Sequence, residues 1–144
     1  MKSNGSKSKE YVVIVGCGRL GAMIANELSD KSVDVLIIDR DKNAFRKLSP
    51  SFGGLSMTGD GADYKVLKEA NIEHATSVIM VTNNDNVNIL ISQMLREKGI
   101  NGEIIIRLYD PERRAVFDTA DVDIISPLLL SFDMIKQKMN EAIK

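Results

Sequence analysis

The sequence holds one cysteine, one histidine and no tryptophan among 144 residues. One cysteine rules out an internal disulfide. A single Cys with a single His cannot supply the ligands of a Cys/His zinc site. An excess of one charge is lacking as well: 19 Lys and Arg stand against 20 Asp and Glu, a net charge of −1 with a pI near 5.9. Phosphate-backbone recognition needs a concentrated basic face, so nucleic acid is excluded as the expected partner. The longest apolar runs, Tyr11–Val15 and Val78–Val81, are far too short to span a bilayer. Met1–Glu10 has no apolar segment of the kind a secretory signal requires. The expectation is one cytoplasmic globular domain, large enough to bury a core without staples and poor in catalytic residues.

What is present is a regular alternation. Met1–Glu10, rich in Ser, Lys and Gly, is expected to be a disordered arm. After it, strands are predicted at Tyr11–Val15, Val33–Ile38, Gly54–Met57, Ser77–Val81, Glu103–Leu108 and Asp123–Ile125. Helices are predicted between them at Arg19–Asp30, Lys42–Leu48, Asp63–Ala70, Asn86–Lys98 and Pro111–Thr119, with a last one from Leu128 to the end. YVVIV is apolar at every position, as a strand covered on both faces should be. Strictly alternating strands and helices, joined by right-handed crossovers, predict a Rossmann-like α/β fold. Its sheet is doubly wound, parallel and six-stranded, in the order 3-2-1-4-5-6.

The strongest local signal is Gly16-Cys17-Gly18-Arg19-Leu20-Gly21, a G-x-G-x-x-G loop between an apolar strand and a helix. In that setting Gly16 permits the tight turn, Gly18 lets the main chain approach a pyrophosphate, and Gly21 lets helix and strand pack closely. The free N–H groups and dipole of the helix start favour an anion. A tight strand–helix turn without a ligand is the plainer alternative. Asp39 ends the second strand, 18 residues beyond Gly21, where an acidic side chain takes ribose hydroxyls and disfavours a 2′-phosphate. Asp41 is available to cap the next helix, a task that would otherwise fall to Asp39. Arg40 weakens the exclusion of a 2′-phosphate and is also suited to lie over adenine. Arg19 is suited to a phosphate, its plainer reading being a solvated first-turn side chain. Cys17 reads as a small residue tolerated in the turn, with a reactive thiol as the alternative.

Thr58-Gly59-Asp60-Gly61-Ala62-Asp63 follows the third strand, and there Asp60 is placed to accept from an adenine amino group. A simple Gly-Asp-Gly turn explains the same residues. Thr82-Asn83-Asn84-Asp85 follows the fourth strand and suits either a helix cap or a ligand. An enzyme on this fold needs a proton-transfer residue or a substrate domain. His74 falls outside the expected crevice, and Tyr64…Lys68, although spaced as in some reductases, falls on the third helix. The fold implies a ligand while the residues supply no reaction.

Five stretches in order carry a family resemblance: VVIVGCGRLGAMIANEL, VLIIDRD, GDGADYKVLKEANI, Thr82-x-x-Asp85-x-x-Asn88, and IIIRLYDPE followed by DVDIISP. From Tyr11 to about Pro127 the chain resembles the RCK N-terminal domain, also called KTN or TrkA-N. This is the cytoplasmic nucleotide-binding gating domain of potassium channels and Trk/Ktr transporters. The resemblance implies NAD(H), ATP, ADP or AMP as cofactor. It implies Gly16, Gly18, Arg19 and Gly21 at phosphates, Asp39 at ribose, Asp60 at adenine, and Thr82 and Arg107 near the distal phosphate or second nucleoside. Cys17, Leu20, Arg40, Gly59, Gly61 and Asn83 complete the expected binding set, with no catalytic residue.

The resemblance also implies a homodimer or higher ring at the inner face of the membrane, beneath an integral-membrane potassium-translocating subunit. Ligand exchange in the ring would gate that subunit. Three departures stand out. Gly61-Ala62 replaces Ala-Thr. Leu128 replaces a Glu implicated in metal binding in some Ktr-type members, so no metal is expected there. No RCK C-terminal domain follows, and a separate chain is a candidate to supply one. The expected division is thus residues 1–10 as arm, 11–127 as the nucleotide domain, and 128–144 as an apolar helix for dimer contact. The competing functional readings are an NAD-dependent oxidoreductase subunit completed by another chain, and a redox sensor acting through Cys17.

Overall fold

YVVIV forms a strand whose two faces feed two separate cores. In the structure, a computed structural model describing residues 9–116 and 121–143, this strand is β1 (Tyr11–Val15). It lies inside a six-stranded parallel sheet with β2 (Asp34–Asp39), β3 (Leu55–Thr58), β4 (Ser77–Met80), β5 (Glu103–Arg107) and β6 (Asp123–Ile125). The order is β3-β2-β1-β4-β5-β6, as the sequence predicts. β1 pairs with β2 from Tyr11↔Asp34 to Val15↔Ile38, and with β4 from Val12↔Ser77 to Val15↔Met80.

Successive side chains of a strand point to opposite faces. Val12 and Ile14 therefore join Val35 and Ile37 under α1 (Arg19–Asp30), against Ala22 and Ala25. Val13 and Val15 point the other way, into a larger cluster with Leu67 of α2 (Tyr64–Glu69) and with Ile91 and Leu95 of α3 (Asp85–Glu97). Asp63 caps α2 through Lys65 N–H, and Asn84 caps α3 through Val87 N–H. Gly99, with φ of +77°, follows the end of α3.

Two predicted α-helices are 3-10 helices instead, at Lys42–Lys47 and Pro111–Val116. The first is squeezed between its Asp41 cap and Pro50, whose preceding residue is steered away from helical geometry. β3 starts at Leu55 rather than Gly54, and a Cβ on Gly54 would lie 2.6 Å from the Val35 carbonyl oxygen. Most of the expected Met1–Glu10 arm, residues 1–8, lies outside the described residues, as does the end of the expected Pro111–Thr119 helix.

α4 (Pro127–Ile143) has no buried residue along its length. Ser126 caps it through Leu129 N–H, and it leaves the sheet with Phe132 58% and Ile135 63% exposed. The face that α1 covers is also left part open beyond β1. There Ile79 and Ile105, paired across β4 and β5, are half-buried, and Ile125 is 42% exposed.

Candidate functional site

The strand order reverses between β1 and β4, and the carboxyl ends of those strands open a cleft of about 310 Å³. Open α/β sheets place ligands at this point because neighbouring loops diverge there. The cleft is formed by the glycine loop after β1, the Asp39–Lys47 segment, Gly59–Gly61 after β3, the segment after β4, and Arg107.

The three glycines of the loop do different work. Gly16 has φ of +108°, and a Cβ there would lie 2.8 Å from the Thr82 nitrogen. It is the hinge by which the chain passes between β2 and β4. A Cβ on Gly21 would lie 1.9 Å from the Gly16 carbonyl oxygen, so its absence lets α1 sit against the loop. A Cβ on Gly18 would meet nothing within 4 Å, and Gly18 lines the cleft. No packing demand accounts for glycine there. The position is open to the cleft. Gly18 is also the N-cap of α1, and no side chain caps that helix. The first N–H groups of α1 are thus left to a ligand or solvent.

Asp39 is tied into this loop. Its Oδ2 accepts the Cys17 N–H at 2.7 Å and its Oδ1 accepts the Asp41 N–H at 2.8 Å. An ionised carboxylate offers about four lone-pair sites. Each oxygen keeps one lone pair unused among the described residues. Asp41 caps the following 3-10 helix through Asn43 N–H, as the sequence analysis assigns it.

The 3-10 geometry of that helix matters to the site. At three residues per turn, positions three apart share a face. Asp41, Ala44 and Lys47 all line the cleft. Lys47 was not among the residues singled out from sequence. Its signal, the i, i+3, i+6 spacing from Asp41, is hidden once the segment is taken for an α-helix. The cleft side chains balance, with Arg40, Lys47 and Arg107 facing Asp39, Asp41 and Asp60.

The structure brings Gly16, Cys17, Gly18, Asp39, Arg40, Gly59, Asp60, Gly61, Thr82, Asn83 and Arg107 to one cleft. It does not bring Arg19, Leu20 or Gly21 into its lining. Leu20 instead packs against the cluster under α1, because its position faces the sheet. Arg19 is exposed at the first turn of α1. Gly61 is buried, and a Cβ there would lie 2.5 Å from Val15 Cγ1, so packing against β1 accounts for glycine at this position. Asp60 Oδ1 accepts the Ala62 N–H at 2.9 Å and shapes the turn, while its side chain remains at the cleft.

Cys17 is fully buried, and its thiol reaches the Ala44 carbonyl oxygen at 3.4 Å. Burial pushes the thiol above its ordinary value; the Asp39 carboxylate adds to the rise and Lys47 opposes it. This overturns the reading of Cys17 as a reactive redox thiol, which requires an accessible, acidified sulfur. Tyr64 and Lys68 lie on α2, where the Tyr64 ring packs on the core and under the Lys98 ammonium at 4.8 Å, away from the cleft. His74 is exposed at the other end of the sheet. Among the described residues no three His, Cys, Asp or Glu side chains gather as a metal site requires.

At the β4/β5 side, Arg107 donates through Nη2 to the Val81 and Thr82 carbonyl oxygens at 3.0 and 2.9 Å. Asp85 accepts the Tyr109 and Asp110 N–H groups at 2.8 and 2.9 Å, fixing the loop after β5 against α3. No helix among the described residues is long and apolar enough to cross a membrane.

Comparison with known proteins agrees with this fold. Residues 12–127 match the family model of the TrkA-N domain. The chain is 35% identical over 129 residues to the Trk system potassium uptake protein TrkA of Streptomyces coelicolor. That alignment covers 90% of this chain and 58% of the relative. The chain thus spans little more than half the length of that protein. Among solved structures, the GsuK RCK domain superposes with a TM-score of 0.76 at 25% identity, over 94% of this chain and 29% of that one. The Kef CTD of Shewanella denitrificans in AMP-bound form superposes at 0.74 with 18% identity, over 93% and 80%. The GsuK channel bound to NAD superposes at 0.70 with 17% identity, over 85% and 22%. The last two likenesses establish the fold.

Proposed function

Because the chain belongs to the TrkA-N domain family, we propose that it is a nucleotide-binding regulatory domain of a potassium-uptake system, acting without catalysis of its own. The ligand is NAD(H) or an adenine nucleotide. The observation that carries this reading is the Gly18–Asp39 arrangement: an open glycine position at an uncapped helix start, beside a carboxylate with a lone pair free on each oxygen. Those are the recognition groups for a phosphate and a ribose diol.

Gly16, Gly18 and the first N–H groups of α1 would hold phosphate. Asp39 would hold ribose, with Arg40 and Asp60 beside the base. Thr82, Asn83 and Arg107 would meet the distal part of a dinucleotide or polyphosphate. Arg107 keeps its Nε–H and Nη1–H donors free of partners among the described residues, while Nη2 anchors it. Structural neighbours bound to NAD and to AMP support this ligand class.

The protein would act at the inner face of the membrane on a potassium-translocating subunit, as the TrkA relative's role in potassium uptake supports. The exposed α4 supports a homodimer, its apolar side packing on a second copy and covering the open face at Ile79, Ile105 and Ile125. A ring of such dimers would change shape according to the nucleotide bound, which requires only that two ligands favour two states differently. Calorimetric titration with NADH, NAD, ATP, ADP and AMP tests the ligand. Saturable binding of at least one supports the reading; absence of all five overturns it.

A further inference from the structure

The buried stripe of α3 is Asn88, Ile91, Ser92 and Leu95, at the i, i+3, i+4, i+7 spacing of a core face. A fully buried amide in such a stripe is costly unless every polar position is paired. Asn88 pairs them all. Its Nδ2 donates to the Thr82 carbonyl oxygen at 3.1 Å and to that of Arg107 at 2.8 Å. Its Oδ1 accepts the Thr82 N–H at 3.2 Å and the Thr82 hydroxyl at 2.6 Å.

The place of these bonds is informative. The register of β4 with β5 ends at Met80↔Ile106. Thr82 and the Arg107 carbonyl lie beyond that ladder, so strand pairing does not set their separation. Asn88 spans them through its amide, and Arg107 Nη2 returns to the Val81 and Thr82 carbonyls. Both Thr82 and Arg107 line the cleft, as does Val87 beside Asn88 on α3. The Asp39–Cys17 bond lies on the far side of β1 and shares no partner with this network.

We propose that Asn88 is the positioning residue of the distal half of the cleft, setting where Thr82 and Arg107 meet the part of a dinucleotide beyond the first phosphate. This rests on the nucleotide reading above and deepens it. Asn88 is buried and does not line the cleft. It acts by holding the two chain ends that do. An apolar residue would suit the helix stripe but would orphan the Thr82 N–H and the Arg107 carbonyl, and Asp would set an oxygen against two carbonyl oxygens.

The test compares AMP, which occupies the Asp39 half, with NADH, which reaches across both. Calorimetric titrations are run on the unmodified chain and on Asn88→Asp. The expected result is AMP affinity within about twofold of the unmodified chain and NADH affinity lower by about tenfold or more. A purely structural role would lower the melting temperature and leave the ratio of the two affinities unchanged; that result overturns the proposal while the nucleotide reading stands. If the unmodified chain binds neither nucleotide, this proposal falls, and titration with NAD, ATP and ADP decides whether the nucleotide reading falls with it. A measurement that needs no variant is the NMR signal of the Asn88 side-chain amide. It is expected to shift with NADH and stay in place with AMP, and equal shifts with both would overturn the proposal.

Discussion

The backbone N–H of Cys17 donates to Asp39 Oδ2 at 2.7 Å, so the glycine loop after β1 is tied to the carboxylate ending β2. The same side chain thus ties the loop and lines the cleft. Asp39→Ala removes both functions. Nucleotide affinity is expected to fall by roughly 10- to 100-fold, the range for losing hydrogen bonds to a charged group. Titration of the purified variant checks this, and an unchanged affinity would remove Asp39 from the ribose site.

The glycines separate stability from binding. Gly21→Ala drives a methyl into the Gly16 carbonyl, and the variant is expected to lose several kcal/mol of stability or to fail to fold. Gly18→Ala meets no protein atom, so its melting temperature should stay within about 2 °C while nucleotide affinity drops. Melting curves and titrations on the two variants make the contrast. A Gly18→Ala chain that binds normally would show that the open position is not a ligand approach.

Cys17 should resist alkylation in the folded protein and react fully once denaturant is added, because it is buried and its thiol is held above its ordinary value. The same shift makes stability depend on pH. The unfolded thiol releases its proton above about pH 8.5 while the folded one retains it, so this contribution is complete below that pH. It is lost as pH rises toward the folded value. Tyr11, raised by burial and by Asp34, adds a further loss at higher pH. Denaturant midpoints measured from pH 7 to pH 10 should fall, and less steeply in Cys17→Ala. An unchanged slope in that variant would contradict the assignment.

α4 should set the oligomeric state. Phe132→Lys with Ile135→Lys places charges on a helix that none of the described residues buries. Sedimentation is expected to show a dimer for the unmodified chain and a monomer for the double variant, with little change in the melting temperature of the sheet domain. A monomeric unmodified chain would remove α4 from that role.

The sheet order was legible from sequence because each strand is bounded by a helix signal and right-handed crossovers leave one economical winding. β6 falls at Asp123–Ile125 as expected. The glycine loop and Asp39 were legible because their spacing has a mechanism. What sequence hid lies in short-range geometry. Lys42–Leu48 reads as a helix from sequence, yet Lys42–Lys47 winds as a 3-10 helix with Lys47 at the cleft. Leu20 reads as part of a binding motif, but its side chain is claimed by the core. Gly61 looked like a place for a ligand and is filled by Val15. Asn88 stood in a motif without a role until its four bonds were seen across two strand ends.

The central claim is that this chain binds a nucleotide through the Gly18–Asp39 arrangement. The most direct measurement is calorimetric titration of the unmodified chain and of Asp39→Ala with NADH, NAD, ATP, ADP and AMP side by side. The account predicts saturable binding of at least one ligand to the unmodified chain and a loss of about tenfold or more in the variant. Equal affinity in the two chains, or no binding to the unmodified one, would contradict it.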